Sequence, residues 1–444
     1  MTKHRYPRHL YAKLRRRWNG DPLADGWPRV DLPEKAVLDE LLDVCYHASL
    51  MTEEGRPTIF RVAFISGRTP VSPPRREPVA LEPMMRYALG QPVPFTAGEL
   101  RRLAPVADPR RILIAVEQIG ENARLGLQIY GLIDVGMAFW EMARHERISG
   151  AASPEALVVA STRPGELSIS RGDHPVIRLR GGEIVSPTRS VLLHGPVARF
   201  FRDASDELIQ EACERSGVNQ DPQEDDALSL SHLWFIESIL LHIAELKHGG
   251  ALLFVQDAVA DNDARLQEVV SIKYSLPSTR PRDALLAAMA IRLEHNDFDE
   301  RLHGRRAVRR ADLEDLEALA WNHRELEDSS REAARFIGSL TAVDGAVVLT
   351  DKLRIIGFGG EVRVSRPGTD TIHIAKNEEG DENTTAPFTG YGTRHRSAFR
   401  FVENMDPSVA FIMSQDGGIK AATKVGGRVV MWQYFEIGYT TALS

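Results

Sequence analysis

Apolar residues fall at two different spacings along this chain, and the switches between them outline its elements. Val37, Leu38, Leu41, Leu42, Val44 and Cys45 recur at helical spacing and predict a helix over residues 34–50, followed by a strand over 58–65. Between Arg102 and Ile184 the period shortens to that of strands. Segments 112–116, 125–133, 156–161, 166–170 and 176–179 qualify, with Arg180-Gly181-Gly182-Glu183 as a hairpin turn before a further strand. Helical spacing returns over 197–216 and again in Leu233, Phe235, Ile236, Ile239, Leu240, Ile243 and Leu246, a face apolar enough to pack across a sheet. Strands at 251–255 and 271–276, helices at 283–293 and 311–336, a hairpin of 347–349 with 353–358, and a strand at 409–413 complete the reading. Helices interleaved with strands give an α/β (α+β) class.

The acidic stretch Asn219 to Asp226 is the natural boundary, so the expected domains are 1–226 and 227–444, the second with a helical insertion around 280–330. A length of 444 residues suits two or three domains, and 43% hydrophobic with 26% charged residues is ordinary for globular protein. The formal net charge of −7 gives no nucleic-acid signature. The basic stretches near Lys3 to Arg8 and Lys13 to Arg17 sit beside Leu14 and Trp18 and read as the solvated face of a packed helix. Cys45 and Cys213 lie in apolar helical patterns and read as free, buried thiols in a reducing compartment. No window offers the roughly 18–20 apolar residues of a membrane helix, and the N-terminus lacks a signal region, so the expected location is cytoplasmic, with no membrane partner. Glu53, Glu54 and Arg56 could bind a ligand or form a local ion pair at the start of a strand, and the ion pair is the favoured reading. The scattered histidines His242, His248, His295, His303 and His323 show no ligand spacing.

Chemistry concentrates in two short stretches. Gly392-Thr393-Arg394-His395-Arg396 offers two guanidinium groups and a hydroxyl able to grip a polyphosphate, and a glycine that lets the backbone come near it. Asp344-Gly345-Ala346, which opens a strand, offers a carboxylate able to hold a divalent cation or accept a proton. Each alone is a common turn; their joint placement beside strands is not common.

That order of elements and motifs resembles the bacterial diadenylate cyclase (DAC) domain, which joins two ATP molecules into cyclic di-AMP. Gly249-Gly250-Ala251-Leu252-Leu253, after Lys247 and His248, is similar to the start of that domain's first core strand, and Ser414-Gln415-Asp416-Gly417-Gly418 falls where the family has a Ser followed by acidic residues. The resemblance covers about the last half of the chain. It implies Asp344 as the catalytic carboxylate and metal ligand for Mg²⁺ or Mn²⁺, with Gly345 and Ala346 leaving room for the nucleotide. It further implies Thr393, Arg394, His395 and Arg396 on the phosphates next to Gly392, and Ser414 as a polar contact. An active form is then at least a homodimer of facing domains. The first half resembles sensor domains that precede some of these cyclases (DACNV-like), most of all at Ala48-Ser49-Leu50 and Glu53-Glu54-Gly55-Arg56-Pro57; no sensor ligand follows from this.

The chain departs from the family at several points. Val343 stands where some cyclases carry a second metal-binding His, and Gly359-Gly360-Glu361-Val362 replaces a Leu-Pro-like segment. Residues 365–391 read as a long polar loop near the nucleotide, with acids at Glu378, Glu379, Asp381 and Glu382, and Gln415-Asp416 replaces an acidic pair. Three functions stay open: a sensor-regulated diadenylate cyclase, a cyclase-like module that binds nucleotide without making the cyclic product, or a structural or interaction protein in which the motifs are relics.

Overall fold

The structure, a computed structural model, describes residues 4–19, 29–69, 85–108, 111–120, 126–135, 156–161, 163–172, 174–185, 191–218, 226–246, 248–260, 264–303, 308–363, 370–414 and 418–433. Lys247, Gln415, Asp416, Gly417, the proline-rich 70–83 and the acidic 219–225 lie outside these. It is a mixed α/β structure in two compact units, one ending at Pro187 and the other running from Thr188 to Phe435. Among the described residues no helix is long and apolar enough to cross a membrane.

In unit 1, helices α1 (Tyr11–Arg17) and α2 (Lys35–Ser49) lead into a two-residue ladder of β1 (Thr52–Glu53) with β2 (Arg56–Pro57). Then follow β3 (Phe60–Phe64), β4 (Met85–Pro94), α3 (Ala97–Leu103), β5 (Ile112–Gln118), β6 (Leu127–Asp134), β7 (Leu157–Ser161), β8 (Leu167–Arg171), β9 (His174–Arg180) and β10 (Glu183–Val185). The strands form one sheet in the order β10-β9-β8-β7-β3-β5-β6-β4. Only β3 and β5 run parallel there among the described pairs. Leu10, just before α1, and Leu14, Leu38, Leu41, Leu42 and Cys45 from the helices pack on Phe60, Val62, Ile114 and Val159 of the sheet. Burial pushes the Cys45 thiol far up, which makes it a packing group, whereas Cys213 in unit 2 is only half-buried; both are free. The β9–β10 turn forms on Gly181 and Gly182, at φ +54° and +75°, the conformation of a two-residue hairpin. Glu53 does not pair with Arg56. Its carboxylate meets Arg101 Nε of α3 at 2.9 Å, because β1 and β2 turn Arg56 out to solvent.

Unit 2 begins with α4 (Gly195–Ser216) and α5 (Asp226–Leu246), then β11 (Gly250–Val255), the short α6 (Asp257–Ala260) and α7 (Ala264–Val269), β12 (Val270–Ser278), and the long helices α8 (Arg280–His303) and α9 (Arg310–Leu340). Next come β13 (Ala346–Thr350), β14 (Ile355–Val362), β15 (Thr371–Ala375), β16 (Asn383–Pro387), α10 (Thr393–Asn404), β17 (Ser408–Met413), β18 (Ile419–Val425) and β19 (Arg428–Trp432). Their sheet order is β12-β14-β13-β11-β17-β18-β19-β15-β16, with β11 parallel to β13 and antiparallel to β17.

The sheet is covered on both faces, which explains why β11 and β17 are buried at every position. On one face Ala251, Leu253, Ala346 and Val348 meet Phe399 and Val402 of α10. On the other, Phe254 packs edge-on against Phe411 and against Phe201 of α4, with ring centroids 5.8 and 5.2 Å apart. Truncating one such ring to alanine costs about 3–5 kcal/mol. Helix α4 therefore belongs with unit 2. The boundary falls near 187 rather than 226, since Phe201 and its neighbours complete the second sheet's core. The stretch 365–391 is not simply a loop: β15 and β16 form a hairpin within it that extends the sheet past β19. The acids at its tip are held locally, Glu379 by Arg199 at 2.9 Å and Asp381 by Asn377.

At the end of the sheet where β11 and β13 finish, two buried titratable groups sit in opposite senses. Asp351 is 7% exposed and accepts the Asp257 N–H at 2.8 Å; burial pushes its carboxyl up to about 6. His232, whose Nδ1 meets the Ser205 hydroxyl at 2.7 Å, is brought down by burial to about 4. The stability owed to Asp351 is full below the ordinary carboxylate range and is lost as pH rises through about 6. That owed to His232 is full above the ordinary imidazole range and is lost as pH falls through about 4. Between these values the two slopes oppose. Asp351→Asn removes one of them, so urea midpoints of the variant should fall more steeply than those of the parent between pH 6 and pH 4; parallel curves would contradict this assignment.

Candidate functional site

The site lies at the opposite end of the unit 2 sheet, and the strand register brings it together. Leu252 of β11 pairs with Val347 of β13, Gly250 with Met413 of β17, and Ala346 with Gly360 of β14. The start of β11, Asp344-Gly345-Ala346, Gly359 to Val362, Ser414 and the start of β18 therefore converge on one edge. Helix α10 crosses the same face and begins there.

A cavity of about 810 Å³ opens between them, within the range usual for small-molecule sites. Asp344, Gly345 and Ala346 line one side of it, and Gly392, Thr393, Arg394 and His395 line another. The acid and the cationic stretch, far apart in sequence, thus face one space. Ser271, Lys273, Glu361 and Arg363 of the β12–β14 edge also line it, and sequence reading had not singled them out for this role. Glu361 stands directly across from Ser271 in the ladder, a pairing visible only once the strands are registered. Arg396 and Ser414 do not line the cavity. Arg396 lies half-buried on α10, its N–H closing the first helical turn onto Gly392 O, and Ser414 follows Met413 at the strand end, its N–H bonded to Gly418 O. Residues of the β15–β16 hairpin do not line it either.

The motif forms the first turn of α10 itself. Gly392 is the N-cap at φ −68°, ψ 167°, and supplies no side-chain cap. The first turn holds no acid. Arg394 and Arg396 occupy it instead, with His395 between them, where the positive end of the helix dipole disfavours cations by about 0.3–1 kcal/mol each. A Ser or Asp cap would contribute about 1 kcal/mol that Gly392 forgoes. A helix start so arranged is suited to an anion: the N–H groups of Thr393 and Arg394, the Thr393 hydroxyl and the Arg394 guanidinium are all donors. Arg394 and Asp344 are exposed, and neither has a side-chain partner among the described residues.

His395 is held more firmly. Its ring lies 5.7 Å from that of Tyr391 and 6.2 Å from that of Phe399, and Lys420 Nζ of β18 is 2.9 Å from its Nε2.

The two motif glycines do different work. Gly345 has φ +115°, and a Cβ there would lie 2.6 Å from the Gly359 carbonyl carbon, so it is required by the backbone of the neighbouring strand. Gly392 has an extended backbone and nothing within 4 Å of a Cβ, so nothing among the described residues requires a glycine there. Space above Gly392 is open to a ligand.

Among the described residues no three metal-ligating side chains cluster. A Mg²⁺ or Mn²⁺ shared between one carboxylate and nucleotide phosphates needs no such cluster, and the exposed Asp344 carboxylate on the cavity wall fits that kind of ion.

No curated protein matches the chain. Residues 27–134, which span α2 to β6 of unit 1, match a family described as a probable sensor domain, DACNV. The matched stretch includes Ala48-Ser49-Leu50 and the β1–β2 ladder, and it makes the first unit similar to a sensor domain.

Proposed function

We propose that unit 2 is a diadenylate cyclase domain that condenses two ATP into cyclic di-AMP and pyrophosphate, and that unit 1 regulates it as a sensor domain. The observation that carries this reading is that the cationic first turn of α10, which has no side-chain cap, and Asp344 line one cavity. A triphosphate satisfies the first and a metal-bound nucleotide the second. The sensor-domain match adds support, since such a domain needs an output.

In the reaction, the 3′-hydroxyl of one nucleotide attacks the α-phosphorus of the other. A 3′-O–P bond forms, the bond from α-phosphorus to the pyrophosphate oxygen breaks, and the hydroxyl proton leaves toward Asp344. Arg394, Thr393 and the N–H groups of the first turn receive the charge that builds on the departing pyrophosphate. A divalent cation on Asp344 would neutralise phosphate charge and lower the acidity barrier of the hydroxyl. Arg396 does not line the cavity, and its backbone N–H is tied into the helix start at Gly392 O. One cavity holds one ATP. Ring closure needs two bonds of the same kind, so two copies related by a two-fold axis each supply one nucleotide.

Incubation of the full chain with ATP and Mn²⁺ should yield cyclic di-AMP by mass spectrometry, and Asp344→Asn should lower the rate by at least about a hundredfold with the thermal midpoint unchanged. ATP binding without cyclic product under any metal would instead identify a nucleotide-binding module.

The glycines give a sharper contrast. Gly392→Ala should fold as the parent does and bind ATP about tenfold more weakly, while Gly345→Ala should lose stability before any ligand is added. Equal nucleotide affinity in Gly392→Ala would place the triphosphate elsewhere. Arg394→Ala should weaken ATP more than AMP, because the lost contact is to the outer phosphates; equal losses for both would contradict its role.

A further inference from the structure

Lys420 has so far entered only as a neighbour of His395. It lies on β18 opposite Ile412 of β17, and the strand delivers its side chain to the start of α10. Its ammonium has only donors, so the 2.9 Å contact requires the His395 Nε2 to accept. The imidazole is then neutral, and its proton sits on Nδ1. Tyr391 and Phe399 pack on the ring and restrict its rotation, which keeps this arrangement in place.

A histidine free to protonate in this turn would put a further positive charge between Arg394 and Arg396, at the positive end of a helix. Contact with a permanent cation opposes that. His395 lines the cavity, whereas Lys420 is not among the residues lining it.

We propose that Lys420 is a positioning residue of the phosphate site, fixing His395 as the neutral Nδ1–H donor for a nucleotide phosphate oxygen. This rests on the nucleotide reading above. The Lys420–His395 pair is not evident from the motif, since Lys420 stands on a separate strand and its role emerges only from the contact.

The test uses the full chain labelled with ¹⁵N-histidine, with His395→Gln to assign the resonance, and α,β-methylene-ATP with Mg²⁺ as the ligand in calorimetry. In the parent, His395 should show a protonated Nδ1 and a bare Nε2. Lys420→Met should move that signature toward the other tautomer and weaken the analogue about tenfold, the loss of one charge-assisted hydrogen bond network. Lys420→Arg, which also offers only donors, should restore both. An unchanged ¹⁵N signature and unchanged affinity in Lys420→Met would overturn the proposal. A tautomer that depends on Lys420 in a protein that binds no analogue would uphold the pairing, overturn its role toward nucleotide, and separate that failure from failure of the pair itself.

Discussion

The start of α10 is built against its own stability, and the rest of unit 2 holds it there. Cations occupy the turn where acids belong, and the cap position offers no side chain. The penalty, about one to a few kcal/mol in all, is offset by the buried face of the same helix. Ala398, Phe399, Phe401 and Val402 are each no more than 1% exposed and lock the helix onto β11, β13 and β17. A local conflict tolerated by strong packing is what a ligand site looks like before its ligand arrives.

The sheet supplies the other half. Because β11 and β13 run parallel, their starts lie at one edge, and the antiparallel β17 brings its end to the same edge. Asp344 thereby meets a helix start that follows it by a long stretch of chain. Gly345 and Gly359, both at positive φ, let β13 and β14 approach closely where the cavity begins. The β12–β14 edge adds Ser271, Lys273 and Glu361 to the lining as polar groups. Fold and site are therefore one construction, and either would be lost with the register.

Much of this was legible in the amino-acid order because buried strands read clearly. Segments 251–255 and 409–413 are apolar throughout, and the structure makes each a central strand. Strand β4 escaped notice because it is an edge strand with exposed positions, interrupted by Gly90 and Pro92, and so carries no alternation. The β15–β16 hairpin was hidden by the polar residues of its outer edge. The pairing of Glu53 with Arg101 depends on how α3 folds back, which no local spacing encodes. Asp344 and the Gly392–Arg396 stretch stood out by residue type, whereas Lys420, a single lysine in an ordinary strand, did not. Arg396 and Ser414 were assigned by motif, and tertiary placement sets them beside the cavity rather than on it.

The central claim is spatial: one triphosphate spans the first turn of α10 and the Asp344 carboxylate. A crystal structure of the full chain with α,β-methylene-ATP and Mn²⁺, phased to show the manganese by its anomalous signal, tests it most directly. The account predicts the ion beside Asp344 and the phosphates against the N–H groups of Thr393 and Arg394. Density for nucleotide at any other place in unit 2, with this cavity empty, would contradict it.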